Sequence, residues 1–316
     1  LLGLMVQWMA FLIVFLIAKV GFSASLIFYD SMLSDITDEE RMDYVSSQGY
    51  AWGYIGSCVP FVLCLVIVLG SDPLGIRMET AMGIAFVLVA VWWLLMSLPL
   101  LKNYEQKYYV EKKPHAIAQS FKRLGETFKN MKEEKQVFMF LLAFFFYIDG
   151  VYTIIDMATA YGSALGLDST GLLLALLVTQ IVAFPCAIIF GNLSYRIRTE
   201  KLIIVCIVAY LGIAIFAVFL KTQLQFWILA ILVGMFQGGI QALSRSYFTK
   251  IIPEEHSGEY FGLMDICGKG ASFVGTTIVS IVSQLTGNIS MGVGMIAILF
   301  CIGIVIFLKA VSMNRN

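Results

Sequence analysis

Residues 144–156 read FFFYIDGVYTIID and set two aspartates, Asp149 and Asp156, inside a long apolar run. A carboxylate in an apolar interior costs several kcal/mol unless it is paired, protonated or hydrated. The two aspartates are seven residues apart. In an α-helix they therefore face the same direction, roughly 10.5 Å apart along the axis, with Tyr152 and Thr153 between them. We predict that this helix face borders a water-filled cavity rather than lipid.

The composition is that of a membrane protein. The chain is 59% hydrophobic and 13% charged, with a mean hydropathy of +0.87, whereas soluble domains average about 45–50% apolar and about 25% charged residues. A helix needs roughly 20 apolar residues to cross lipid. Nine runs have this length, at about residues 6–29, 47–70, 80–101, 136–161, 170–190, 201–220, 225–248, 259–284 and 289–309. We predict an all-α, polytopic membrane protein with nine transmembrane helices.

The sequence carries none of the familiar motifs of enzymes or metal sites. Its six cysteines all lie in the apolar runs without CxxC spacing, which is typical of packing residues. The two histidines, His115 and His256, fall in predicted loops, and HExxH, GxSxG and phosphate-loop motifs are absent from the sequence. We expect no enzymatic activity, no metal and no cofactor.

Lysine and arginine are distributed asymmetrically between the predicted loops. When loops are assigned to alternate sides, one side receives seventeen basic residues and the other receives only Arg77 and Lys221. The basic side of a membrane protein is normally cytoplasmic. We expect a multi-pass protein of the cell (inner) membrane with a cytoplasmic carboxyl terminus, and no nucleic-acid partner is needed to explain the basic loops. The sequence opens on Leu1 in an apolar stretch, and we expect the natural amino terminus to lie upstream.

A long loop predicts the division of the chain. It contains PHAIAQSFKRLGETFKNM, residues 114–131, whose apolar residues form one helical stripe. This pattern favours an amphipathic helix on the inner leaflet, although a docking site for a partner protein is an alternative. We predict three spans of an N-terminal helical bundle in residues 1–101, a cytoplasmic amphipathic connector in 102–135 and a C-terminal six-helix bundle in 136–316.

The sequence also contains an internal repeat. A shift of 215 residues aligns residues 29–57 with 244–272 and gives six identities in 29 positions. Both copies run from the cytoplasmic end of one predicted span into the next span. The repeat is therefore parallel, as are the two halves of a major facilitator transporter.

Three stretches resemble bacterial members of the vacuole-effluxer-like family of the major facilitator superfamily, relatives of the yeast autophagy-linked vacuolar amino-acid effluxer. They are residues 21–56, the segment YIDGVYTI (147–154) and residues 238–275. The resemblance implies a twelve-helix fold of which this chain holds helices four to twelve. It also implies that GNLSYRIRTEK (191–201) is the loop between helices eight and nine, where Tyr195 stands near the place of the usual acidic residue.

The resemblance places several polar residues in or beside the central cavity, which helices four, seven and ten line and helix eleven borders. Ionisable residues at membrane depth by default mark a substrate or proton pathway. Two structural alternatives to a pathway role remain open. Asp265 and Lys269, which are four residues apart, neutralise each other. The glutamines form hydrogen bonds between helices. The candidate pathway comprises Lys19, Asp149, Tyr152, Asp156, Gln237, Gln241, Asp265 and Lys269.

Asp30 and Arg245 occupy equivalent positions in the two repeat copies. We predict that they form a cytoplasmic gate pair; alternatively, Arg245 binds lipid phosphates and Asp30 caps a turn.

The whole pattern predicts a monomeric secondary transporter that works by alternating access in the lipid bilayer. We expect it to export or exchange a small solute such as an amino acid, with protons as the candidate coupling ion through Asp149. A drug or lipid exporter of the same fold and a non-transporting scaffold or receptor are the alternatives.

Overall fold

The computed structural model describes residues 7–73, 75–108, 123, 125 and 134–313. Apart from two isolated positions, the amphipathic helix predicted at 114–131 lies outside these residues. The described part of the chain is helical and contains no strand. Its α-helices are α1 (Trp8–Ser31), α2 (Leu33–Ile36), α3 (Met42–Leu69), α4 (Met78–Asn103), α5 (Lys135–Ala164), α6 (Ser169–Leu193), α7 (Thr199–Val218), α8 (Gln223–Ile251), α9 (Ser257–Thr286), α10 (Ile289–Gly294) and α11 (Ile296–Met313).

Across the described ranges, nine helical segments are long and apolar enough to cross a membrane. The first combines α1 with α2 and the last combines α10 with α11, whereas α3 to α9 supply the other seven. The predicted all-α fold with nine membrane helices is confirmed.

Local sequence signals fix several helix ends. Asp168 caps α6 by accepting a hydrogen bond of 2.6 Å from the Gly171 backbone N–H. Thr222 and Gln225 form a capping box at the start of α8, which satisfies backbone donors that a helix start leaves free. Gly287 follows α9 with a φ of 66°, a left-handed conformation that glycine adopts without steric cost. These signals mark the start of α6 and α8 and the end of α9.

The core lies among the last six spans. Aromatic rings of α5, α8 and α11 meet there, with the Phe140 ring centred 5.5 Å from that of Phe248 and the Tyr147 ring 6.2 Å from that of Phe307. Gly303 of α11 lies so close to α5 that a Cβ atom at this position would be 2.9 Å from the Tyr147 Cβ. This packing holds α5, the helix that carries the two aspartates, firmly against α11.

The first three spans contact the last six at two helix interfaces. Helix α3 packs against α6 and α8, and α1 packs against α9. A cavity lies between these two interfaces. Most large apolar side chains of α1 and α4 point outward, as expected for surface that faces lipid.

We call the end of the helices at which residues 104–108 begin the connector end. There, Asp35 of α2 accepts hydrogen bonds from the backbone N–H groups of Lys107 (3.1 Å) and Tyr108 (3.0 Å) and from the Tyr104 hydroxyl. Burial, together with the bond to Asp35, raises the pKa of Tyr104 well above its usual value. A hydrogen bond to Glu254 raises the pKa of Tyr108. The start of the connector is therefore fixed to α2 and reaches the turn before α9.

Candidate functional site

A cavity of about 660 Å³ lies between α1, α5, α8 and α9, with Tyr50 of α3 in its wall. Its lining carries three acidic and three basic side chains, so its formal charge is zero. Nine of the ten residues predicted for the pathway and the gate line it: Lys19, Asp30, Tyr152, Asp156, Gln237, Gln241, Arg245, Asp265 and Lys269.

Four of the six cavity charges pair with each other. Asp265 and Lys269 form an ion pair across one turn of α9, and Arg245 Nη1 lies 3.0 Å from Asp30 Oδ1. Each of these four charges therefore already has an opposite charge beside it.

Lys19 and Asp156 are the two cavity charges that form no ion pair among the described residues. The Lys19 ammonium lies 6.0 Å from the centre of the Phe22 ring, and Asp156 Oδ2 accepts a hydrogen bond of 3.0 Å from the Ser272 hydroxyl. The cavity thus presents one cation and one anion to whatever enters it.

Arg245 closes the cavity at the connector end. Its Nε donates to the Ser46 hydroxyl at 2.9 Å and its Nη2 donates to the Ser46 carbonyl at 3.1 Å, in addition to the bond with Asp30. The Tyr29 and Tyr50 rings are centred 5.2 and 4.9 Å from the guanidinium carbon. A single side chain of α8 is therefore bound to both α1 and α3, and cation–π contacts add to the hydrogen bonds.

A second set of contacts lies beside Arg245 and was not predicted from the sequence. Asp43, in the first turn of α3, accepts hydrogen bonds from Ser246 Oγ (2.5 Å), Thr199 Oγ1 (2.6 Å) and Lys250 Nζ (2.7 Å). Asp43 is only 5% exposed, and all three donors belong to α7 or α8. We call Asp43, Thr199, Ser246 and Lys250 the Asp43 lock, since these residues join the first three spans to the last six.

The loop at 191–201 supplies part of this lock. Tyr195 stands near the place of the family's usual acidic residue, and the carboxylate that binds this loop comes from α3 as Asp43, which accepts a hydrogen bond from Thr199. Tyr195 packs instead on Tyr44, with ring centres 5.9 Å apart. Gly191 lies against Ser47 so closely that a Cβ atom would be 2.7 Å from the Ser47 Cβ. The loop therefore rests directly on the first turns of α3.

The expectation for Asp149 was wrong in one respect. Both aspartates face α9, as their spacing predicts, but Asp149 is fully buried and lies outside the cavity. Its Oδ1 accepts hydrogen bonds from the Gly275 backbone N–H (3.0 Å) and the Thr153 hydroxyl (3.2 Å). Gly275 comes so close that a Cβ atom there would collide with Asp149 and Thr153. The helix face borders the cavity at Asp156 and is sealed by α9 at Asp149.

A second, mostly apolar chamber of about 330 Å³ adjoins the cavity. It lies between α3, α5, α6 and α8, and Ile155 and Gln237 line both spaces. Its polar wall includes Gln180, Thr179 and Ser57.

A family model described as "Vacuole effluxer Atg22 like" matches residues 4–316. The chain belongs to the Atg22-like vacuole effluxer family. This Atg22-like chain is 46% identical over 302 residues to the uncharacterized MFS-type transporter YxiO of Bacillus subtilis (strain 168), covering 95% of the chain and 71% of YxiO. It is 26% identical over 303 residues to autophagy-related protein 22 of Botryotinia fuckeliana (strain B05.10), covering 86% of the chain. It spans about half the length of that fungal relative.

Solved structures show the same fold. A variant of the Escherichia coli fucose:proton symporter FucP matches with a TM-score of 0.64 at 15% identity, over 89% of this chain and 72% of FucP. A bacterial homologue of the iron transporter ferroportin, in an outward-facing state, matches with a TM-score of 0.57 at 16% identity, over 88% of this chain and 66% of the homologue. These structures show a major facilitator fold. With the family match and the 46% identity to an MFS-type transporter, they identify the Atg22-like chain as a membrane transporter of the major facilitator type rather than an enzyme.

Proposed function

We propose that this protein is a secondary active transporter that exports or exchanges a small zwitterion, such as an amino acid, by alternating access. One observation carries the proposal. Among the described residues, Lys19 and Asp156 are the two charged side chains of the cavity that form no ion pair. A zwitterion brings a carboxylate for the lysine and an ammonium for the aspartate, and both contacts are charge-assisted hydrogen bonds.

Charge balance makes this site selective. A ligand with only a positive charge leaves Lys19 without an anion, and a ligand with only a negative charge leaves Asp156 without a cation. Unpaired charges are costly at membrane depth, so a ligand that satisfies both groups gains the most. Asp149 is fully buried outside the cavity, so we assign the substrate ammonium to Asp156.

The apolar chamber supports a substrate that also carries an apolar substituent. Gln237 stands where the chamber meets the charged cavity, so a polar head and an apolar group have adjoining spaces. The same chamber is the observation that favours the rival proposal, an exporter of hydrophobic drugs or lipids, because such ligands need a large apolar surface.

The two contact sets at the connector end support alternating access. Arg245 and the Asp43 lock join helices of the first three spans to helices of the last six, so separating these helices would open the cavity toward that end. We assign the connector end to the cytoplasm of the cell membrane because it carries nearly all the basic loop residues. In this assignment the conformation is closed to the cytoplasm. We further propose protons as the coupling ion, because Asp149 is a carboxyl group buried within a membrane helix.

The proposal is tested by solute counterflow in proteoliposomes with Lys19→Gln and Asp156→Asn. Each change removes one charged hydrogen bond, worth about 1.5–3 kcal/mol, so we expect a ten- to hundredfold loss of apparent affinity for a neutral amino acid. Lys221→Gln and Asp38→Asn are matched controls, because both residues are exposed and lie outside the cavity. Transport of a hydrophobic cation, with no movement of neutral amino acids, would favour the exporter instead.

A further inference from the structure

Asp149 is a buried acid that the solute site does not use. It is 0% exposed, and its Oδ2 has no hydrogen-bond partner among the described residues. No ion pair within the described ranges includes it. Its contacts are Thr153 on its own helix and Gly275 on α9. Phe300 of α11 packs against the neighbouring Gly150.

These surroundings favour the neutral acid. If Asp149 were ionised, a full negative charge would be buried and one carboxylate oxygen would have no hydrogen-bond donor. Such an uncompensated charge costs far more free energy in an apolar interior than a neutral polar group does. A protonated carboxyl places its hydrogen on Oδ2 and leaves Oδ1 to accept the two bonds that the structure shows. The proton comes from water and returns to it, with no other bond made or broken.

We infer that Asp149 is a proton-binding site separate from the solute cavity, and that it carries its proton in the conformation described here. Its link to transport rests on the proposed function, whereas its protonation does not.

One helix connects the two carboxyl groups. Helix α9 binds Asp149 through the Gly275 N–H and binds Asp156 through the Ser272 hydroxyl. The nearest charged residues to Gly275 along α9, Lys269 and Asp265, line the cavity. Gly275 packs directly against the Asp149 carboxyl, so a movement of α9 away from α5 would open this contact to water. Ionisation of Asp149 therefore shifts the helix that forms one wall of the solute site.

This arrangement predicts indirect coupling, in which proton and solute bind different carboxyl groups. The test compares Asp149→Asn with Asp156→Asn in proteoliposomes, using a labelled neutral amino acid. Asparagine has the shape of the protonated acid, so we expect Asp149→Asn to keep counterflow and to lose accumulation driven by a pH gradient. Asp156→Asn should lose both. Retained pH-driven accumulation in Asp149→Asn, or loss of its counterflow, would overturn the inference while leaving the proposed function standing.

Infrared difference spectroscopy provides a second readout that needs no substrate. The wild type minus Asp149→Asn spectrum at neutral pH should show the carbonyl band of a protonated carboxyl group, and its absence would overturn the inference. If Asp149→Asn does not fold, Thr153→Val replaces it, because Thr153 donates to the same carboxyl and its loss must shift the band. An unshifted band would overturn the assignment. If the wild type moves no zwitterion at all, the proposed function fails and the infrared result decides the proton site alone.

Discussion

Replacing Asp43 by asparagine should open the connector end of the transporter. The carboxylate accepts three hydrogen bonds from the last six spans, and one donor is the Lys250 ammonium at 2.7 Å. The side chains of Asp43 and Lys250 are 8% and 19% exposed, so the change leaves a mostly buried cation without its anion.

The size of the effect follows from this burial. Breaking a fully buried ion pair from one side costs about 3–5 kcal/mol. Lys250 lies in the last turn of α8 and can turn its ammonium toward water, and asparagine still accepts one bond, so the cost falls to about 2 kcal/mol. The ratio of closed to open molecules at the connector end should therefore fall roughly thirtyfold.

Double electron–electron resonance measures this ratio directly. Spin labels carried by unnatural amino acids at Glu40 and Arg196, both exposed at the connector end, report the distance between the two groups of helices. Asp43→Asn should move the distance distribution toward longer values, and Asp38→Asn, an exposed acid on the neighbouring turn, should not. An unchanged distribution in Asp43→Asn would refute the account of the lock.

Two further predictions concern the paired charges of the cavity. Each single charge change at Asp30 or Arg245 should impair counterflow, and the exchange Asp30→Arg with Arg245→Asp should restore it only in part. The exchange rebuilds the ion pair but not the hydrogen bonds of Arg245 to Ser46. A double variant that is no better than the worse single variant would contradict the gate. Lys269→Met should leave Asp265 unpaired and strengthen inhibition by cations, and adding Asp265→Asn should reverse this. Equal inhibition in all three proteins would show that the pair does not set the charge of the cavity.

The sequence was sufficient to predict the number of membrane helices but not all of their ends. Hydropathy placed the start of the second span at about residue 47, whereas α3 begins at Met42. The extra turn carries Asp43 and Ser46, polar residues that bind α7 and α8 rather than lipid. A hydropathy window counts them against a membrane helix because it cannot include partners that lie far away in sequence.

The candidate site was predictable where helical spacing determines direction. Gln237, Gln241 and Arg245 follow at four-residue intervals and so share one face of α8, and the structure places all three in the cavity. Asp149 shows the limit of this reasoning, because spacing gives the direction of a side chain but not the distance of the neighbouring helix. The close approach at Gly275 depends on a residue 126 positions away.

The Asp43 lock shows a second limit. Its donors lie 156 to 207 residues from Asp43 along the chain, and the acidic residues around Asp43 resemble an ordinary solvated turn. The one available signal was the loop at 191–201, where Tyr195 stands near the place of the usual acidic residue.

The central claim is that the cavity selects ligands bearing both charges, and competition in counterflow tests it most directly. The competitors are a neutral amino acid, its carboxamide and its deaminated acid, which share one side chain and differ only in charge. Each single-charge analogue loses one charged hydrogen bond, so the account predicts that both compete at least about tenfold more weakly than the amino acid. Equal or stronger competition by the carboxamide would contradict it.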